Sequence, residues 1–241
     1  MTRDERPLSV VPALVWGVLM VALAGQIAWR TLQAPPAPQA EDLPPTPSTQ
    51  ALRLAGFGEP NALARVMMLY LQAFDSGSTN TQPYRRLDYG RLIGWLDAIL
   101  ALDPRSEYPL FTASRIYAEV QDTAKSRAML EFIYREFFVD PDHRWQPLAN
   151  AALLAKHRLH DLPLARRYAA AIDRYTRSPD VPLWARQMQI FILEDMNELE
   201  AARIMLGGLL ASGQIKDPAE ARFLAQRLKD LEGRMERAPH R

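Results

Sequence analysis

His157 and His160 stand three positions apart and come nearer to a metal site than anything else in the chain. On a helix, that spacing puts both rings on one face. A zinc site of catalytic type needs a third ligand and, in the His-Glu-x-x-His arrangement, a carboxylate between the histidines. The sequence offers neither. The pair reads as surface histidines near a helix end, where cations suit the dipole. His143 falls at a junction between segments and reads as structural. Glu194, Asp195, Glu198 and Glu200 form an acidic cluster around one turn. Paired carboxylates do acid–base work or collect a divalent cation, but a calcium loop wants alternating ligands with a glycine at its bend. Helix capping by Asp195 and Asn197 is the simpler expectation.

Other chemistries lack their residues. No Gly-x-Ser-x-Gly or Ser-x-x-Lys nucleophile motif occurs. Gly56-Phe57-Gly58 lacks the third glycine of a nucleotide fingerprint and reads as the entry to a helix that starts at Glu59-Pro60. The basic pairs Arg85-Arg86 and Arg166-Arg167 are isolated from one another, whereas a nucleic-acid groove clusters cations with stacking aromatics. With 29 basic and 28 acidic side chains the net charge is +1, so no bulk field favours nucleic acid. The absence of cysteine excludes disulfides, thiolate metal sites and a lipobox anchor. No catalytic residue, metal or cofactor is expected, and no enzymatic activity.

The elements that would position any site begin with residues 8–29, 22 positions without a charge. A bilayer core needs roughly 20 apolar residues in a helix, so a transmembrane segment is expected there, with Trp29 and Arg30 at its end. Ala22-Leu23-Ala24 before Gly25 resembles a signal-peptidase site, but the apolar run continues past it, which favours an uncleaved anchor. Arg3 and Arg6 before the run, against Arg30 after it, place residues 1–7 in the cytoplasm and the bulk of the chain outside. Residues 30–59 read as a linker. Its stretch 33–50 carries six prolines and is expected to be a semi-rigid, disordered spacer.

From residue 60 the apolar positions recur with helical spacing: Leu63, Val66, Met67, Tyr70, Leu71 and Phe74; Leu92, Leu96, Ile99 and Leu100; Leu110, Ala113, Ile116, Tyr117 and Val120; Ala202, Met205, Leu206 and Leu209. No stretch alternates long enough to be a strand, so the domain is all-α. A repeat underlies it. Pro104, Pro141, Pro179 and Pro218 are spaced 37, 38 and 39 residues apart, and Asp88, Asp122, Asp161 and Asn197 are spaced 34, 39 and 36. Each Asp or Asn would cap a second helix by accepting from orphan N–H groups. Each proline would stop that helix and set the entry to the next. One hairpin cannot bury both its faces, so successive hairpins stack.

The stretch Asn197-Glu198-Leu199-Glu200-Ala201-Ala202-Arg203 resembles the start of the second helix in tetratricopeptide repeats, and Ala98-Ile99-Leu100-Ala101-Leu102-Asp103-Pro104 resembles the close of one. The resemblance covers about residues 60–232. The spacing departs from 34, the first-helix signature is not intact, and Asp75–Tyr84 is an insertion. Trp145 and Trp184 start first helices with a slipped register. The resemblance implies an α-superhelix of about four hairpins and a closing helix near Pro218–Leu231, then a disordered tail at 233–241. An irregular α-bundle is the alternative. It further implies a concave groove lined by first helices, with Tyr108, Phe111, Arg115 and Glu119 in one repeat and Arg186 and Gln189 in a later one. Tyr108 and Phe111 serve equally well as core residues.

The expectation that follows is a single-pass scaffold or adaptor of the bacterial inner membrane. Its domain would be periplasmic, and its partners other envelope proteins or peptides, with the lipid bilayer met through residues 8–29. The oligomeric state is not readable. Two alternatives are an accessory subunit of a stable membrane complex and an envelope hydrolase with Glu119 or Glu131 as a buried acid.

Overall fold

The computed structural model describes residues 12–32, 42–74, 83–213, 215 and 217–237. They form eleven α-helices with two short turns of other pitch, and no strand occurs among them. The chain divides into two compact units, residues 1–40 and 41–241.

The first unit holds α1, Ala13–Leu32. Its apolar side chains are exposed around the circumference, from Leu14 and Trp16 through Val21 and Leu23 to Ile27 and Trp29. Among the described residues no helix is long and apolar enough to cross a membrane. Helix α1 takes in Gln26 and Arg30, while residues 8–11 of the apolar run lie outside the described residues. The span expected at 8–29 therefore gains no support from the helix.

The second unit begins with the back half of the proline-rich stretch, and here the structure departs from the expected disordered spacer. Residues 42–48 run without helix, and α2 follows at Thr49–Ala55, capped by the Ser48 hydroxyl, which accepts from the Ala51 N–H at 3.2 Å. Proline lacks a donor but keeps its carbonyl. Arg91 Nη1 donates to the Leu43 carbonyl and Trp95 Nε1 to that of Pro44, each at 2.9 Å. Leu43 and Leu52 are buried in the main core. A Cβ on Gly94 would stand 2.5 Å from Thr46 Oγ1, so glycine is what admits this close strand of chain. The first half, 33–41, lies outside the described residues, as does most of the expected insertion, 75–82.

Eight further helices pair in chain order. Helix α3 (Pro60–Gln72) packs on α4 (Tyr89–Leu102), and α5 (Tyr108–Thr112) runs into a π turn at Ala113–Tyr117 that packs on α6 (Thr123–Phe137). Helices α7 (Pro141–His157) and α8 (Leu162–Tyr175) pair, as do α9 (Leu183–Asp195) and α10 (Leu199–Ala211). Helix α11, Pro218–Arg237, packs on α10 and closes the chain, and it overruns the tail expected from 233, of which 238–241 lie outside the described residues. Each helix meets its neighbours or next-but-one neighbours in sequence: α4 meets α6, α5 meets α7, and α7 meets α9.

The local signals explain the boundaries. Asp88 accepts from the N–H groups of Gly90 and Arg91, Asp122 from those of Ala124 and Lys125, and Asp161 from that of Leu164. Pro141 and Pro218 open α7 and α11, while Pro104 and Pro179 fall in the connections after α4 and α8. The turn before α10 differs from the others. Asn197 takes a left-handed φ of 61°, a conformation asparagine tolerates better than most residues, and caps nothing. Asp195 ends α9 and pairs with Lys156 at 2.5 Å. The capping expected of both residues is thus corrected. Gly58, at φ 87°, makes the turn into α3, with Glu59 and Pro60 at its start.

Two cores result. The larger runs from Leu43 to Ile192, and the smaller joins Ile190, Leu193, Ala202, Leu206, Leu224 and Leu231 of α9, α10 and α11.

Candidate functional site

The cleft between α5 and α7 starts from a defect in each helix. In α5 the Ala118 N–H reaches back to the Ala113 carbonyl at 2.8 Å, which makes a π turn and widens the helix. Asn150 Nδ2 of α7 donates to the Ser114 carbonyl at 2.6 Å. In α7, Pro147 lies inside the helix and has no N–H for the His143 carbonyl one turn earlier. The hollow between them measures about 180 Å³. Leu110, Phe111 and Pro147 supply its apolar lining, and Arg105, Arg115 and His143, with Glu107 and Asp140, line it with charge of both signs.

One wall is fixed by Arg144, only 6% exposed. It donates from Nη1 to the Glu136 carbonyl and to Glu136 Oε2, each at 2.9 Å, and from Nη2 to the Pro104 carbonyl at 2.8 Å. That binds the end of α6 and the α4–α5 connection to α7. On the rim, His143 Nδ1 lies 2.9 Å from both carboxylate oxygens of Asp140. The hydrogen bond and charge of Asp140 raise the imidazole pKa above its ordinary value. Arg105 and Arg115 are exposed and make no hydrogen bond or ion pair with a described residue.

A second, more apolar hollow adjoins it between α3 and α5, lined by Met68, Leu69, Gln72 and Tyr108. Gln72 Nε2 donates to the Tyr108 hydroxyl at 2.6 Å, and the Tyr108 ring stacks on Phe111 with centroids 6.3 Å apart. Ser106 lines both hollows. An aromatic pair thus bridges two hollows on the first-helix side of successive hairpins.

Of the six expected groove residues, Phe111 and Arg115 line the α5–α7 cleft and Tyr108 the adjoining one. Tyr108 and Phe111 are 43% and 52% exposed, so neither is core. Glu119 is exposed beyond the π turn and lines neither hollow. Arg186 is half-buried, and its Nη2 donates to the Ser178 carbonyl at 2.5 Å, which braces the α8–α9 connection. Gln189 is half-buried on α9 and lines neither hollow. Arg186 lines a separate hollow with Leu183, Ile190, Met205 and Leu209.

The buried acid of the hydrolase alternative is corrected too. Glu119 is exposed, and Glu131 is half-exposed and held by Arg167 and the Tyr168 hydroxyl. The buried carboxylate is Glu194, 5% exposed and held by two arginines. Among the described residues, no three His, Asp or Glu side chains converge as a metal site.

Sequence reasoning passed over Arg105, Arg144 and Pro147, and it read His143 as structural. A proline inside a helical pattern was the available signal for the last. The π turn had none.

Fold and cleft together define a helical, repeat-like chain with an amphipathic cleft between its first helices. No family model, curated protein or solved structure matches this chain.

Proposed function

We propose that this protein is a membrane-tethered scaffold of the bacterial envelope that holds an extended segment of a partner protein across its first helices. Residues 8–29 are the anchor, and the domain from residue 42 is the recruiting part, on the periplasmic side. The 22 uncharged positions of residues 8–29 in the sequence are what supports the anchor. The tetratricopeptide-like pattern of caps and prolines supports the role of the stack.

The observation that carries the recruiting role is the exposed Tyr108–Phe111 pair bridging two hollows beside the unpaired Arg115. Exposed aromatics in pockets, with arginine at the edge, are the composition of binding hot spots. The test compares the intact chain with a Phe111→Ala/Arg115→Glu variant, each purified in mild detergent with quantitative mass spectrometry. Co-purifying proteins should be present with the first and lost with the second, at unchanged helix content. Equal recovery from both excludes the cleft as the recruiting surface. A C-terminal fusion reporter active only in the cytoplasm excludes the assigned side.

A further inference from the structure

Residues 42–55 form an arm that meets the rest of the second unit at few points and ends in a strained turn. From Asp42 to Ser48 the arm runs without helix, and Arg91 and Trp95 of α4 take its carbonyls at Leu43 and Pro44. Gly94 lies between those two side chains in sequence and leaves the space that Thr46 fills. Leu43 and Leu52 are the two residues of the arm that are buried, and Leu52 is the one buried residue of α2.

The arm joins α3 through Gly56-Phe57-Gly58, where the Glu59 N–H closes the turn on the Gly56 carbonyl at 2.7 Å. Phe57 takes a left-handed φ of 45°, a conformation in which a bulky side chain is an outlier. Its ring is 93% exposed, so it returns no packing for the strain. Such a conformation persists because the surrounding structure imposes it. Here the seated arm on one side and α3 on the other fix the turn between them.

We infer that the arm exchanges between two copies of this chain, each seating its residues 42–55 on α4 of the other. A second copy carries the one segment whose fit to that seat the fold itself exhibits. Leu43, Leu52 and both carbonyl bonds are satisfied equally well across copies, so the contacts of the arm do not distinguish its own chain from a partner. The hinge does. Opening it lets Phe57 return to an ordinary φ, and a short hinge under strain favours swapping. The lost freedom of association opposes the exchange, which makes it dependent on concentration.

The chain has no cysteine, so introduced thiols report only the arm and its seat. A Cβ on Gly94 would lie 3.6 Å from that of Thr46, and a disulfide spans about 3.5–4.5 Å between such atoms. Two differently tagged intact chains are expressed together and purified in mild detergent. One carries Thr46→Cys, and the other carries Gly94→Cys with Thr46→Ala, which clears the hydroxyl from the seat. Oxidation should join them into a heterodimer whose yield rises with protein concentration. Thr46→Cys expressed with Ala219→Cys, on the exposed start of α11, should give none. Asparagine is several-fold better tolerated at a left-handed φ and two hinges open per dimer, so Phe57→Asn in both chains should lower the yield about tenfold. A single chain with Thr46→Cys and Gly94→Cys should close within itself when dilute. If it closes and the mixed pair gives no heterodimer, the arm stays on its own chain and the exchange is overturned. If it does not close, the arm does not occupy this seat in solution and the exchange falls with it. Equal heterodimer in the Ala219→Cys pairing means random collision and overturns it too.

Discussion

Arg227 of α11 grips both carboxylate oxygens of Glu194 on α9, donating from Nε at 3.1 Å and from Nη2 at 2.6 Å. Arg234, two turns further along α11, approaches the same carboxylate at 3.6 Å. The closing helix is thus fastened to the last hairpin by charge as well as by Leu224 and Leu231.

Arg227→Ala leaves a buried carboxylate with its weaker partner. Breaking a fully buried pair costs about 3–5 kcal/mol, but the Arg227 side chain is 41% exposed and solvent screens the pair. The expected loss is about 1–2 kcal/mol. Limited proteolysis should then cut between α10 and α11 before any other site. An unchanged cleavage pattern counts against the fastening.

Asp122→Ala removes a side chain that accepts from two N–H groups and should cost about 1 kcal/mol in urea unfolding. Asn197 gives the contrasting result. Serine caps as well as asparagine does, yet is less at ease with the left-handed φ of 61°. Asn197→Ser should cost about 1 kcal/mol and Asn197→Gly almost nothing. A neutral serine variant means the residue caps after all.

Asn150→Ala strips the donor from the Ser114 carbonyl in the π turn, whose residue is buried. An unsatisfied buried acceptor costs about 1–3 kcal/mol. Amide exchange should accelerate first at residues 113–119. Uniform acceleration across the domain contradicts a local role.

Burial raises the phenol pKa of Tyr89 and Tyr168 well above the ordinary tyrosine value, with nearby negative charge adding to it. Both hydroxyls are engaged: Tyr89 donates to the Tyr117 carbonyl at 2.8 Å, and that of Tyr168 bonds Glu131. The neutral form is favoured in the folded state, so this stability is complete below the unfolded pKa near ~10. It drains away as pH rises from there towards the higher folded values. Ultraviolet titration should show at least two of the eight tyrosines, Tyr89 and Tyr168 among them, ionising only as the helices melt. Eight tyrosines titrating together while the helices persist contradicts the burial.

Periodicity determined the class of fold, because a helix of the second unit buries one stripe and the residues at its spacing must be apolar. Leu92, Leu96 and Ile99 were legible in that way, and each is at most 1% exposed. Asp88, Asp122 and Asp161 were legible too, since a cap acts on groups two or three residues along the same chain. What depends on distant partners was not. The proline-rich stretch docks because Arg91 and Trp95, 48 and 51 residues later, meet its carbonyls. The cleft lies where a π turn and a helix with an internal proline meet, and Arg186 braces the α8–α9 connection by donating to the Ser178 carbonyl. Residue type sets which contacts a side chain can make. Only the packing of helices far apart in sequence decides which partner is near enough to take them.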